Sequence, residues 1–90
     1  MGRLSDQEIQ ERLKALAGWE LAEGEIRRVY TFGSFKSAMA FVSKVADLAE
    51  GMNHHPDILV QYNEVTLTLT SHDAGGLTGR DFRLAGKIDA

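Results

Sequence analysis

ILVQYNEVTLTL, residues 58–69, is the stretch that decides the fold. Its second half alternates strictly, with Val65, Leu67 and Leu69 set against Thr66 and Thr68, and Thr70 continuing the polar set. A period of two is the mark of a half-buried β-strand. Ile58 to Tyr62 reads as its partner strand and Asn63-Glu64 as the turn between them. With a two-residue turn there, Tyr62 faces Val65, Val60 faces Leu67 and Ile58 faces Leu69. A one-residue slip would set Val60 against Thr66 and break the apolar face. Carried to the open end of the hairpin, the same register sets His55 opposite His72, on one face, with Cβ atoms roughly 5 Å apart.

Upstream, Gly33-Ser34 opens a long helix. Its apolar positions, Phe35, Ala38, Met39, Val42, Val45, Ala46 and Ala49, fall at steps of three and one and predict a core-facing stripe, widened by Phe41 and Leu48. The helix is expected to end near Glu50-Gly51. Before it, Trp19 to Ala22 and Ile26 to Phe32 read as a hairpin turning at Glu23-Gly24. The alternation in the second of these strands is broken by the adjacent Arg27 and Arg28. At the start of the chain, Ser5-Asp6-Gln7-Glu8 has the form of a capping box, followed by Ile9, Leu13 and Leu16, which predicts a helix to about Ala17, stopped by Gly18. Downstream, Ala74-Gly75-Gly76 is a loop, and Thr78 to Asp81 is a second capping box opening a helix through Phe82, Ala85 and Ile88. The order is α-β-β-α-β-β-α. Hairpins joined by helices give an α+β domain, a four-stranded antiparallel sheet with three helices packed on one face.

Ninety residues make a single domain, 1–90. Its formal charge of -3 argues against nucleic acid as a partner, which would need a basic patch. The absence of cysteine excludes thiolate chemistry and disulfides. No apolar run is long enough to span a membrane, and the N-terminus has no signal-peptide core, so a cytoplasmic location is expected. A short chain with limited burial and two open sheet edges is expected to self-associate, as a homodimer or homotetramer.

The chemistry concentrates between Glu50 and Asp81. All three histidines, His54, His55 and His72, lie there, as does the only proline, Pro56. Imidazoles both give and take protons near neutral pH, which suits an elimination or hydration that needs no cofactor. Adjacent histidines in extended chain cannot easily reach one ion, and no H-x-H or H-x-x-x-H spacing is present, so no metal site is expected. No phosphate-binding loop or nucleophile elbow is present either. A His-cluster metal hydrolase and a non-catalytic binding or dimerisation module remain as alternatives. In an extended chain His54 and His55 point opposite ways, so His54 joins the cluster only if the backbone bends.

Glu50, three residues, His54-His55-Pro56, five residues, Tyr62, nine residues, His72, eight residues, Asp81 resembles the signature of the pterin-4a-carbinolamine dehydratases. The Gly18-Trp19 hairpin, Tyr30-Thr31-Phe32, the Phe35–Glu50 helix and the Gly76 to Asp81 turn extend that resemblance over nearly the whole chain. It implies a four-stranded sheet with three helices on one side, assembled as dimers or tetramers. It also implies dehydration of 4a-hydroxytetrahydropterin to the quinonoid dihydropterin without metal or organic cofactor, in the recycling of the pterin used by aromatic amino acid hydroxylases. By the same resemblance His54 and His72 are the acid–base pair and His55 holds the pterin. Glu50, Asn53, Pro56 and Asp81 are supporting or substrate-binding residues. Asn53 stands where some relatives have an acidic residue, and Ile58 where some have an aromatic one. Some relatives serve as a dimerisation partner of a transcription factor.

Overall fold

The computed structural model describes residues 2–90. Seven regular elements follow the predicted order: α1 (Asp6–Leu13), β1 (Glu20–Ala22), β2 (Glu25–Thr31), α2 (Phe35–Met52), β3 (Asp57–Gln61), β4 (Glu64–Leu69) and α3 (Gly79–Asp89), with a short 3-10 turn, His72–Ala74, between the last two. The strands form one antiparallel sheet in the order β1-β2-β4-β3. The inner strands are therefore β2 and β4, and the edges are β1 and β3. Val65, Leu67 and Leu69 are fully buried, joined in the core by Ile26 of β2, Ala38, Val45 and Ala49 of α2, and Phe82, Leu84, Ala85 and Ile88 of α3. The threonines of β4 stay half exposed on the other face. The helices thus cover one side of the sheet, as the alternation requires.

Both capping boxes form. Ser5 Oγ accepts from the Glu8 N–H at 3.2 Å while Glu8 accepts from the Ser5 N–H at 2.9 Å. The Ser5 N–H, and after it the Ser5 hydroxyl, hold the Glu8 carboxyl below its ordinary range. At the start of α3, Asp81 Oδ2 accepts from the Thr78 N–H at 2.9 Å. The first helix is shorter than predicted, ending at Leu13 rather than Ala17. Its last carbonyls take three-residue turns instead, Arg12 O from Ala15 N–H and Leu13 O from Leu16 N–H. Ala17 O then accepts from Arg28 at 2.9 Å, and Gly18 turns the chain at φ 93°.

Arg28 also explains the broken alternation of β2. It shares the inner face with Ile26 and Tyr30, and its guanidinium lies 4.6 Å from the centre of the Tyr30 ring. Arg28 and the Trp19 indole N–H both donate to Asp89 Oδ2, at 3.0 and 2.8 Å, and the Tyr30 hydroxyl donates to Asp89 Oδ1 at 2.5 Å. One carboxylate from the last turn of α3 thereby satisfies three polar groups at the margin of the core. Burial, followed by the bond to Asp89, raises the Tyr30 hydroxyl well above its ordinary value of 10.0. Raised in the fold, this group contributes stability that is complete below about pH 10 and is lost above it, as the unfolded chain begins to ionise. We expect Tyr30→Phe to cost about 1 kcal/mol at neutral pH and to flatten the alkaline decline. Chemical denaturation at pH 7 and pH 11 measures both.

The β3–β4 turn departs from the predicted register. The turn residues are Tyr62 and Asn63, not Asn63 and Glu64, and Val60 pairs with Val65 and Ile58 with Leu67. This is a two-residue shift, so every side chain keeps its predicted face. A contact distant in sequence fixes it: Asn63 Nδ2 donates to Phe32 O at 2.8 Å, and Asn63 O accepts from the Phe32 N–H at 2.9 Å. Holding Asn63 beside the end of β2 places it in the turn, and Tyr62 takes φ 54° to make the bend. As a result β3 begins only at Asp57, opposite Thr68, and His55 lies outside the ladder. The predicted pairing of His55 with His72 across the hairpin does not form.

The apolar surface of α2 is also shared differently. Ala38, Val45 and Ala49 are buried, and Phe41 and Leu48 pack beside them, whereas Phe35 and Met39 are 51% and 40% exposed. The helix is apolar around more of its circumference than one sheet face can cover.

Candidate active site

The end of α2 sets the position of the first two histidines. The helix runs through Gly51 to Met52, and Asn53 adopts the left-handed conformation, φ 50° and ψ 42°. Its N–H bonds to Glu50 O at 3.2 Å, and the following His54 N–H reaches back to Ala49 O at 3.1 Å. This is a Schellman end, with asparagine in the position glycine usually takes. The reversal supplies the bend that His54 needs. Its ring turns inward and is 7% exposed, whereas His55 remains outside. Pro56, half-buried, then leads into β3.

Each of these two histidines meets a carboxylate. His54 Nε2 lies 2.6 Å from Asp81 Oδ1, and Asp81 has no exposed surface. His55 Nε2 lies 2.5 Å from Glu50 Oε2, on the surface. Asp81 thus has two uses: Oδ2 caps α3 and Oδ1 faces His54. Oδ2 also accepts from the Ser71 hydroxyl at 2.9 Å. Ser71 Oγ lies 2.9 Å from Thr78 Oγ1, and Thr78 Oγ1 accepts from the backbone and Nε N–H groups of Arg80, each at 3.3 Å. Among the described residues, no buried side-chain polar atom lacks a partner.

His72 follows Ser71 directly and stands exposed on the 3-10 turn. It lines a cleft of about 280 Å³ together with Glu23, Glu25 and Thr70. Arg80 reaches the same turn, donating to Asp73 Oδ1 at 2.7 Å, and this bond holds the Asp73 carboxyl below its ordinary range. The structure therefore brings Glu50 to His55 and His54 to Asp81, and ties the His72 turn to that second pair through Ser71 and Arg80. Among the described residues, no three His, Asp or Glu side chains converge to hold a metal ion. Ser71, Asp73 and Arg80 were not singled out from the sequence. Thr78 was, but only as a helix cap.

A family model described as pterin 4 alpha carbinolamine dehydratase matches residues 2–90. The chain belongs to that family. A relative from Roseiflexus sp. (strain RS-1), provisionally named a pterin-4-alpha-carbinolamine dehydratase, is 58% identical over 97% of this chain and 94% of its own. A relative from Acidobacterium capsulatum, named in the same provisional way, is 54% identical over 100% and 98%. Among solved structures, a transcriptional coactivator/pterin dehydratase from Brucella melitensis superposes with a TM-score of 0.94 at 36% identity, covering 98% of this chain and 96% of its own. A pterin dehydratase-like RuBisCO assembly factor of the alpha-carboxysome shares the fold, with a TM-score of 0.64 at 24% identity, over 79% and 82%. Pterin carbinolamine dehydratases thus supply the scaffold on which these histidine–carboxylate pairs are built.

Proposed function

We propose that the protein removes water from 4a-hydroxytetrahydropterin to give the quinonoid dihydropterin. The observation that carries this reading is the buried His54–Asp81 pair, joined through Ser71 to the turn that presents His72. In a carbinolamine the hydroxyl and a ring nitrogen share one carbon. As the C–O bond breaks, the leaving hydroxyl takes up a proton and departs as water. The adjacent nitrogen gives up its proton as the C=N bond forms. One imidazole donates and another accepts, and we assign these roles to His54 and His72, without ordering them. His55, steadied by Glu50 at the surface, holds the pterin, with Asn53 and Pro56 shaping the wall beside it. We infer a role in recycling the pterin used by an aromatic amino acid hydroxylase, which a quinonoid dihydropterin product supports, and a cytoplasmic setting. No helix among the described residues is long and apolar enough to cross a membrane. The reading is tested by following water loss from the substrate with and without EDTA. The same rate in both is expected, and loss of activity on chelation would point to a metal hydrolase instead.

A binding module is the second reading. The observation that favours it is the exposed Phe35 and Met39 on α2, with Leu59 half exposed on the edge strand β3. We assign both surfaces to self-association. Pairing β3 with its copy across a two-fold axis would satisfy the open edge, and the outer face of α2 would join dimers into a tetramer. Light scattering at micromolar concentration should then give at least twice the 9.9 kDa of one chain. A mass near one chain would leave those surfaces to another partner and favour the second reading.

A further inference from the structure

Two histidine-bearing segments meet at a row of side chains that takes no part in the proton transfers themselves. It runs from Arg80 through Thr78 and Ser71 to Asp81. The hydrogens in this row can be placed by elimination. A guanidinium only donates. Arg80 directs its Nε–H and its backbone N–H at Thr78 Oγ1. A hydroxyl has two lone pairs and one hydrogen, so Thr78 accepts twice and its own hydrogen is left for Ser71 Oγ. Ser71, having accepted from Thr78, turns its hydrogen to Asp81 Oδ2. That oxygen also receives the Thr78 N–H. An ionised carboxylate only accepts, so with two donors already on Oδ2 the 2.6 Å contact at Oδ1 takes its hydrogen from His54 Nε2.

We propose that Arg80, Thr78 and Ser71 form a one-directional hydrogen-bond chain that fixes His54 as the Nε2–H tautomer and leaves Nδ1 as its basic nitrogen. The bond made at one ring nitrogen decides which of the two carries the proton, and here the partner at Nε2, Asp81, is itself oriented from 10 residues away in sequence, at Ser71. The guanidinium has a second use, since its NH2 group holds Asp73, the residue after His72. Arg80 thereby keeps the two histidine segments in one arrangement. Ser71 and Arg80 are positioning residues, acting through Asp81 and Asp73. The assignment of Nδ1 as the working nitrogen rests on the dehydratase reading, whereas the tautomer itself does not.

The test is 15N–1H correlation spectroscopy of the His54 ring, combined with steady-state kinetics. Wild-type protein should show a bare Nδ1 and a proton on Nε2 that exchanges slowly with water. In Ser71→Ala that proton should exchange at least about tenfold faster. Its kcat should fall about tenfold, part of the 10²- to 10⁴-fold that a positioned acid–base group supplies, with KM changed less than about twofold. Ser71→Thr, which keeps the hydroxyl, should restore both. Arg80→Gln, at a partly exposed site, gives the same readouts should Ser71→Ala fail to fold. A proton on Nδ1 in the wild type would overturn the proposal. So would unchanged exchange and kcat in Ser71→Ala and Arg80→Gln. Slow Nε2–H exchange that depends on Ser71, in a protein that does not dehydrate the pterin, would uphold the chain and remove the dehydratase reading.

Discussion

Replacing His54 with glutamine is expected to lower kcat for dehydration by about 10²-fold or more, the scale of one positioned proton donor or acceptor. Glutamine retains an N–H for Asp81 Oδ1, so the buried carboxylate keeps its partner while proton transfer is lost. His54→Ala removes both, which would mix a stability loss into the rate. His72→Ala should give a similar fall in kcat at little cost in stability, because that side chain is exposed on a turn. His55→Ala should act mainly on KM, since its ring meets Glu50 at the surface rather than the buried pair. Steady-state kinetics on the three variants separates these roles. Equal kcat in wild type and His54→Gln would remove His54 from the chemistry.

The largest loss of stability is expected from Asp81→Ala. The side chain has no exposed surface and accepts from His54, Ser71 and the Thr78 N–H. Its removal leaves those groups facing a void, at about 1–3 kcal/mol for each one left unsatisfied. Water entering the gap would recover part of this, so a net cost of about 3–5 kcal/mol is expected. In a domain of this size each kcal/mol moves Tm by about 4–8 °C, so the variant should melt about 12 °C or more below wild type. Asp81→Asn keeps the shape and one acceptor oxygen and should lose less. Thermal melts followed by circular dichroism decide this, and a shift under about 4 °C for Asp81→Ala would show that the network is not a structural one.

The sequence made some of this legible and hid the rest for physical reasons. The strict alternation from Val65 to Leu69 left no other reading than a strand with one buried face. Both capping boxes announced their helices because the motif is local. The register of β3 on β4 was not legible, since it depends on Asn63 bonding to Phe32, a partner 31 residues away. That two-residue shift removed the predicted meeting of His55 with His72. The inner and outer sides of α2 could not be told apart either, because Phe35 and Met39 carry the same apolar signal as Ala38 and Val45. Asp81 could be read as a cap, but its second oxygen could not be assigned to His54. Nor did any spacing mark Ser71, a small polar residue whose importance comes only from burial between Thr78 and Asp81. The resemblance of the Glu50–Asp81 motif pointed to candidate residues, and the fold shows which of them touch.

The account stands most directly on the rate of water loss from 4a-hydroxytetrahydropterin in the presence of wild-type protein. The absorbance of the quinonoid dihydropterin should rise faster than in buffer, in proportion to protein concentration and with many turnovers per chain. A rate indistinguishable from buffer, with folded protein present, would contradict the account and leave the family scaffold here as a binding module.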